Sequence, residues 1–385
     1  MDINTILKND TSHQSTNDIT TPMDLVREII DALPKKVFFD GVKALDPCVG
    51  FGNFLIGFQE RARSLGITAH LTGTDINAER TSVARRLLPE ASIVDQDFMD
   101  LTGAFDVIIT NPPYAKITNG VRASKNHSIY QDFILKAADM LSPGGVMAFL
   151  VPSSWMSLSA RNIVAERLTS MNMIRLDVGS AKKHFPKVGS SFSWFVCVKE
   201  GPNGDTHVTG KHGKHVFDSR VALCGLRFIP LMPTDMSMRI LHKLTSGPEK
   251  MNIETSSDLH ATTKKHLLMS SRDDDHPYKV AHTKIQTRWS SRPHKYQDGV
   301  KVFICLSSSY ETWIDSCGMT QSVAFVRCQR EDDAIRVKEV LDSVPFRFAV
   351  HITRYGNFTC IKVLQLLSPG VSFSQEEIDY MKNFV

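Results

Sequence analysis

Residues 106–114 read Asp106-Val107-Ile108-Ile109-Thr110-Asn111-Pro112-Pro113-Tyr114. The apolar run 107–109 is short and ends in chain breakers, which is typical of a buried strand. The two prolines cannot donate to a sheet, so the strand must end there, and the chain beyond it stays extended. Ligands of open α/β sheets bind just past the carboxyl ends of strands. This turn offers an amide, free carbonyls and a flat ring, which suit a ligand ring that carries an NH2 group. An ordinary proline-rich turn is the alternative.

The segments around this strand alternate between strand and helix patterns. Strands are predicted at 42–45, 69–74, 91–94, 107–109, 146–151, 173–178 and 192–198, and helices at 22–33 (with Thr21 as N-cap), 54–63, 78–88, 128–141 and 160–171. This alternation predicts an α/β, Rossmann-like fold with a mainly parallel seven-stranded sheet and helices on both faces. Because no long helix joins the last two strands, we expect them to form an antiparallel pair at the sheet edge.

Three regions are predicted along the 385 residues. Residues 1–18 are polar and read as a flexible N-terminal arm, whereas 19–200 form the α/β domain. A stretch rich in Gly, His and polar residues follows Lys199 and marks a boundary. Residues 201–385 are predicted to form a second domain of α+β character.

Composition narrows the class of protein. With 42% hydrophobic and 22% charged residues, the chain is typical of a globular protein. No apolar run approaches the length of a membrane span and the N-terminus carries no signal-peptide pattern, so we expect a cytoplasmic or otherwise intracellular chain. The seven cysteines are scattered without a C-x-x-C pair, which disfavours a disulfide framework and a metal site.

The second half of the chain carries the formal net charge of +4. Basic residues between 279 and 301 alternate with Trp289 and Tyr296, which is typical of a surface that contacts phosphates. A solvated loop is the alternative. The candidate nucleic-acid contacts are Lys284, Arg288, Arg292, Lys295 and, nearer the C-terminus, Arg354.

A cofactor site is predicted where the first strand ends, in Asp46-Pro47-Cys48-Val49-Gly50-Phe51-Gly52-Asn53-Phe54. Gly50 and Gly52 let a ligand approach the backbone, although G-x-G alone is a weak signal. The second strand leads to Asp75-Ile76, where a carboxylate binds ribose hydroxyls, and the third leads to Asp97-Phe98, which suits an adenine. Because Asp46 would repel a pyrophosphate but could receive a cationic amino group, the set favours S-adenosylmethionine over NAD.

In this order, the motifs resemble a known family, the gamma-class N6-adenine DNA methyltransferases of restriction–modification systems, especially the TaqI-like type. Residues 111–114 are similar to its catalytic tetrad, Asn-Pro-Pro-Tyr. Residues 20–26 resemble its N-terminal cofactor segment, which implies that Thr21 lies near the methionine end. The resemblance is specific over residues 20–200. Over residues 201–385 it rests on the order of the domains and on a few short stretches of sequence. Asp46 departs from it mildly, since many members carry Glu there.

Two further stretches extend the resemblance to aromatic residues. Gln131-Asp132-Phe133 resembles the family's ring contact to the cofactor adenine, which suggests Phe133. His184-Phe185-Pro186-Lys187 resembles the segment that supplies a second ring to a flipped base, which suggests Phe185. Core packing is the alternative for both rings. Residues 354–358 resemble the tail of the family's recognition domain.

The resemblance implies a site-specific enzyme that transfers a methyl group from S-adenosylmethionine to a flipped adenine in double-stranded DNA. The implied catalytic residues are Asn111, Pro112, Pro113, Tyr114 and Phe185, with Asn111 also at the cofactor and with no covalent intermediate. Residues 201–385 would be the target-recognition domain. A monomer or weak dimer is expected, and a cognate restriction endonuclease is a candidate partner.

Several alternatives stay open at this point. The tetrad suits an RNA adenine or the N4 amino group of cytosine as well as a DNA adenine. Release-factor glutamine methyltransferases share it, but they place a small domain before the catalytic domain and end soon after it. A non-catalytic nucleic-acid-binding protein on the same fold is an alternative of a different class, since a fold alone does not fix a function.

Overall fold

A computed structural model describes residues 20–114, 117–118, 121–122, 128–159, 163–186, 191–307 and 309–385. The N-terminal arm predicted over 1–18 lies outside the described residues, as does Lys187. The chain divides into two compact units, the first ending at Thr234 and the second beginning at Asp235, with 157–159 grouped with the second. The boundary expected near residue 200 therefore lies further along the chain.

The first unit contains a nine-stranded sheet. Its strands are β1 (Val42–Asp46), β2 (Ala69–Asp75), β3 (Ser92–Asp95), β4 (Phe105–Thr110), β7 (Leu141–Pro152), β8 (Asn172–Val178), β9 (Phe192–Val198), β10 (Thr206–His212) and β11 (His215–Val221), with a separate hairpin of β5 (Ile117–Thr118) and β6 (Val121–Arg122). The sheet order is β11-β10-β8-β9-β7-β4-β1-β2-β3. All seven expected strands are present, and β10 and β11 extend the expected sheet to nine.

One interior strand, β9, runs opposite to its neighbours, and the edge strand β11 runs opposite to β10. Strands β3, β2, β1, β4 and β7 run parallel, whereas β9 is antiparallel to both β7 and β8. The antiparallel pair expected from the sequence is thus present, but it does not lie at the edge, because β10 pairs with the far side of β8. As β9 runs the opposite way, its first residue lies at the edge where the parallel strands end, with Phe192 opposite Pro152.

Five helices accompany these strands, namely α1 (Met23–Asp31), α2 (Asn53–Ser64), α3 (Ala78–Leu87), α4 (Ile129–Met140) and α5 (Val164–Thr169). Helix α1 packs closely on α2, since a Cβ added at Gly57 would lie 2.6 Å from Val26 Cγ1. The residue that caps α1 is Pro22, without a side-chain cap, so the prediction that Thr21 caps this helix is wrong. The Thr21 side chain is buried and bonds to Asn111 instead.

The second unit mixes helices with two four-stranded sheets. The first sheet has the order β12-β19-β16-β17 and the second β13-β15-β14-β18, formed by β12 (Glu254–Thr255), β13 (Leu268–Met269), β14 (Tyr278–Ala281), β15 (Thr287–Ser290), β16 (Lys301–Cys305), β17 (Thr312–Asp315), β18 (Gly318–Met319) and β19 (Val323–Arg327). Its helices are α6 (Asp235–Ser246), α7 (Glu331–Asp342), α8 (Val344–Ile352), α9 (Ile361–Leu364) and α10 (Gln375–Lys382). Phe303, Met319 and Phe325 are fully buried between strands.

Candidate active site

The loop between β1 and α2 is bound tightly to the end of β2. Val49 N donates to Thr74 O at 2.9 Å, and Gly50 N donates to Asp75 Oδ2 at 3.0 Å. Gly50 and Gly52 have φ of 50° and 97°, which L side chains rarely adopt, so both glycines are required by the backbone path. The path of the loop is therefore fixed by the protein itself.

Asp75 lies at the centre of this arrangement. Its Oδ1 accepts from Asn77 N at 2.9 Å while its Oδ2 accepts from the loop, and burial raises the pKa of its carboxyl. Ile76, which follows, is 80% exposed. A braced carboxylate beside an exposed apolar side chain matches the groups expected for a ribose and the adenine attached to it.

The side chain of Asp46, the last residue of β1, is hydrogen-bonded to the last residue of β4. It is 1% exposed, and its Oδ1 accepts from Thr110 Oγ1 at 2.7 Å and from Cys48 N at 3.0 Å. Burial raises the pKa of Asp46 to about 7, although both hydrogen bonds lower it. Because Thr110 immediately precedes Asn111, this carboxyl fixes the start of the tetrad. The sequence predicted Asp46 for the cofactor and did not identify Thr110.

The Asn111 side chain is held at both ends. Its Nδ2 donates to Thr21 Oγ1 at 3.1 Å, and its Oδ1 accepts from the Tyr114 hydroxyl at 2.7 Å. Asn53 Nδ2 donates to Thr21 O at 2.8 Å, so the segment before α1 connects the cofactor loop with the tetrad. The structure thus brings together Thr21 and Asn111, which are 90 residues apart in sequence.

A row of rings follows from Tyr114. The Tyr114 and Phe192 centroids are 5.7 Å apart, and those of Phe192 and Phe185 are 5.0 Å apart. Tyr130 meets Tyr114 edge-on at 6.4 Å. Burial raises the pKa of Tyr114, so its hydroxyl stays protonated and continues to donate to Asn111 near neutral pH. Phe185 is buried, and its ring packs on Phe192, which in turn packs on Tyr114.

Sequence reasoning did not identify Phe192 as part of the site. The predicted antiparallel direction of strand 192–198 could have located it, because the first residue of an antiparallel strand lies at the edge where its parallel neighbours end. Once 192–198 is assigned opposite the strand that ends at Pro152, Phe192 must lie beside the other strand ends.

The aromatic residues predicted to contact the cofactor adenine pack against each other. The centroids of the Phe98 and Phe133 rings are 5.1 Å apart, and both side chains are buried. Asp97 is exposed and accepts from Met99 N at 2.9 Å. Asp97 and Ile76 are thus exposed, whereas the Phe98 and Phe133 rings are buried against each other.

The predicted nucleic-acid contacts lie in the second unit and differ in the partners that hold their side chains. Arg292 is bound to Asp258, with Nη2 2.8 Å from Oδ1, and this pair lowers the pKa of Asp258 to about 2. Arg292, a predicted nucleic-acid contact, therefore has an acidic partner within the protein. Lys295 lies over the Tyr296 ring at 4.7 Å, and Arg354 donates to Asn357 O at 2.8 Å.

Two further basic residues lie on the hairpin of β14 and β15. Lys284 lies at its exposed turn, 4.0 Å from a Glu311 oxygen, which is a weak pairing. Arg288 is half-buried in β15, opposite Val280, and no ion pair is found for it among the described residues. These two are better placed than Arg292 to contact a phosphate.

The residues of the first unit fit S-adenosylmethionine. Asp75 presents a carboxylate at the end of β2, Gly50 and Gly52 give the loop its left-handed turns, and Asn53 Oδ1 is a buried acceptor without a partner among the described residues. Within the described ranges, no cluster of His, Cys, Asp and Glu could hold a metal ion. In that part of the chain, no helix is both long and apolar enough to span a bilayer.

Comparison with known proteins gives a consistent result. The family model described as "Eco57I restriction-modification methylase" matches residues 69–180. A type II methyltransferase, M.VspI from Vibrio sp., is 23% identical over 209 residues, covering 49% of each chain. Another, M.TthHB8I from Thermus thermophilus, is 30% identical over 171 residues, covering 38% of this chain and 37% of that protein. The chain thus matches half or less of these relatives' own length.

A solved structure extends over more of the chain. The type IIG restriction endonuclease BpuSI covers 95% of this chain and 61% of its own, at 13% identity and a TM-score of 0.45. The family match over 69–180 includes the end of β2 and the tetrad, and it supports S-adenosylmethionine as the cofactor of this site.

Proposed function

We propose that this protein is a DNA methyltransferase of restriction–modification type, of the gamma-class, TaqI-like kind, which methylates N6 of a flipped adenine. The observation that carries the proposal is the oriented amide of Asn111. Its NH2 end is bound to Thr21, which directs its carbonyl end toward a substrate amino group. The matches to a restriction-modification methylase family and to type II methyltransferases favour DNA as the polymer.

The tetrad supplies acceptors for the substrate amino group. Asn111 Oδ1 accepts from the Tyr114 hydroxyl with one lone pair, and a carbonyl oxygen can accept from two donors. Pro112 adds a main-chain carbonyl. Both dipoles stabilise the positive charge that develops on the nitrogen as it is methylated, and they need no reorganisation because Thr21 and Tyr114 already hold the amide.

Positioning supplies the remainder of the catalysis. When bound, S-adenosylmethionine supplies an electrophilic methyl group on a sulfonium. Asp75, Ile76 and Asp97 would hold its nucleoside part, and the Gly50–Gly52 backbone would lie along it. Tyr114 would stack on the base, with Phe192 and Phe185 supporting the ring from behind.

We assign DNA recognition to the second unit. Lys284, Arg288 and Lys295 present cationic groups on or near the β14–β15 hairpin, with Arg354 in the loop after α8. Phosphate contacts of this kind position a duplex, whereas base-edge contacts specify its sequence. A cognate restriction endonuclease would read the same sequence.

Transfer of labelled methyl groups tests the proposal. The protein is incubated with S-adenosylmethionine and unmethylated DNA, and the digested nucleosides are separated by mass spectrometry. N6-methyladenine is expected, with RNA unmodified; N4-methylcytosine or labelled RNA would redirect the proposal, and no transfer to either polymer would refute it. Asn111→Ala is expected to lower turnover by roughly 100-fold or more with S-adenosylhomocysteine binding retained. Asn203→Ala, which removes an exposed amide, is the matched control.

A further inference from the structure

Asn53 is a buried amide with one unsatisfied end. It is the first residue of α2, directly after Gly52, and is 5% exposed. Its Nδ2 donates to Thr21 O at 2.8 Å, whereas its Oδ1 is buried and has no hydrogen-bond partner among the described residues. A buried carbonyl oxygen left unpaired destabilises a folded protein, so such an atom calls for an explanation.

Local structure does not provide that explanation. The N-cap of α2 is Gly52, and no side chain caps the helix, so Asn53 is not needed to satisfy the helix end. Its NH2 group already holds Thr21, which a smaller donor could not reach in the same way. Asn53 Oδ1 is a buried acceptor directly after the cofactor loop, and nothing among the described residues donates to it, which points to a donor on the ligand.

The ligand donor is identified by the chemistry of the loop. The sequence predicted that Asp46 receives the cationic amino group of the methyl donor. In the structure, Asp46 Oδ1 instead accepts from Thr110 and Cys48, inside the joint between β1 and β4. Asp46 Oδ1 is therefore engaged inside the protein, whereas Asn53 Oδ1, at the end of the same loop, has no hydrogen-bond partner among the described residues.

We propose that Asn53 Oδ1 accepts a hydrogen bond from the ammonium group at the methionine end of S-adenosylmethionine, and that Asn53 thereby couples the cofactor to Asn111 through Thr21. This rests on the proposed function only in taking S-adenosylmethionine as the cofactor. Asn53 Nδ2 holds the Thr21 carbonyl, and the Thr21 hydroxyl holds Asn111. Asn53 is thus a cofactor contact toward the ammonium group and a positioning residue toward the tetrad.

A pair of ligands that differ only in the amino group isolates this contact. S-adenosylhomocysteine carries the ammonium group, and its deamino analogue carries hydrogen there. Titration calorimetry of both against the whole protein needs neither DNA nor turnover. A hydrogen bond to a charged group contributes about 1.5–3 kcal/mol, so the wild type should prefer S-adenosylhomocysteine by roughly 10- to 150-fold.

The Asn53→Ala variant should lose most of this preference. Its affinity for S-adenosylhomocysteine should fall roughly 10-fold or more, while the deamino analogue should bind within about twofold of its affinity for wild type. Equal weakening of both ligands would show a purely structural role and overturn the proposal, as would no weakening of either.

Asn53→Asp provides a second variant of nearly the same shape, in case the alanine variant does not fold. Its carboxylate cannot donate to Thr21 O as Asn53 Nδ2 does, but that loss is common to both ligands. Because a carboxylate is a stronger acceptor for an ammonium group, the preference for S-adenosylhomocysteine over the deamino analogue should match or exceed that of the wild type. A lower preference would overturn the proposal. Failure of the wild type to bind either ligand would refute the assigned cofactor, and with it the proposed function, which separates that outcome from a failure of Asn53 alone.

Discussion

Replacement of Asp46 by asparagine should remove a pH dependence from the stability of the first unit. Burial raises the pKa of this carboxyl from 3.8 to about 7, so between these values the folded chain binds a proton that the unfolded chain has lost. A raised carboxyl pKa means that stability falls as pH rises through this window. The asparagine side chain would keep the shape and an acceptor for Thr110, but it would not titrate.

The size of the effect follows from the same two values. Each pH unit within the window changes the free energy of unfolding by about 1.36 kcal/mol per proton. Integrated from pH 5 to pH 8, the wild type should lose about 2–3 kcal/mol relative to Asp46→Asn. The variant should therefore gain most at pH 8 and least at pH 5.

Hydrogen exchange of peptides from β1 and β4 under increasing urea reports the unfolding of this unit separately. Asp205→Asn, at an exposed position, is the control and should track the wild type at every pH. If the difference between wild type and Asp46→Asn is constant from pH 5 to pH 8, Asp46 is ionised in the fold and the reasoning fails.

Three further perturbations address other contacts. Thr21→Val should lower methyl transfer by roughly 10-fold or more through loss of the hydroxyl that orients the catalytic amide, whereas Thr21→Ser should keep it; equal rates would show that this hydroxyl does not orient the amide. Arg292→Ala should destabilise the second unit without altering the salt dependence of DNA binding. Arg288→Ala should lower the slope of log affinity against log salt by about one. An unchanged slope would exclude Arg288 from the DNA contact. Gly73→Ala should lower stability by about 1–3 kcal/mol in urea unfolding, because its Cβ would lie 2.7 Å from a neighbouring methyl, whereas Gly201→Ala has open space and should behave as wild type.

The elements with strong periodicity could be predicted from the sequence. Parallel strands buried on both faces are continuous apolar runs, so β4 and β7 could be predicted. The predicted ends of β2 and β4 located Asp75 and Asn111 at one edge of the sheet. Strands β10 and β11 were not visible, because polar residues and glycine interrupt them. Position 210 of β10 requires glycine, because a Cβ there would lie 2.2 Å from Val178 O. Composition cannot reveal this close approach between neighbouring strands.

Side-chain pairing was less predictable than strand position. The Asn53–Thr21–Asn111 connection joins segments far apart in sequence, and no local pattern specifies it. Arg292 shows the converse, because a basic stretch does not reveal which of its members is bound to a carboxylate such as Asp258. Both depend on tertiary packing, which periodicity does not encode.

The position of β9 between β7 and β8 affects the order in which the chain can assemble. During synthesis the cofactor loop, the tetrad and β7 emerge before residue 192, and the edge of β7 has no partner until β9 arrives. The strand that pairs this edge is also the one that brings Phe192 to Tyr114. The arrival of β9 therefore joins β8 to the parallel strands and brings Phe192 to Tyr114 in a single step, before β10 and β11 extend the sheet.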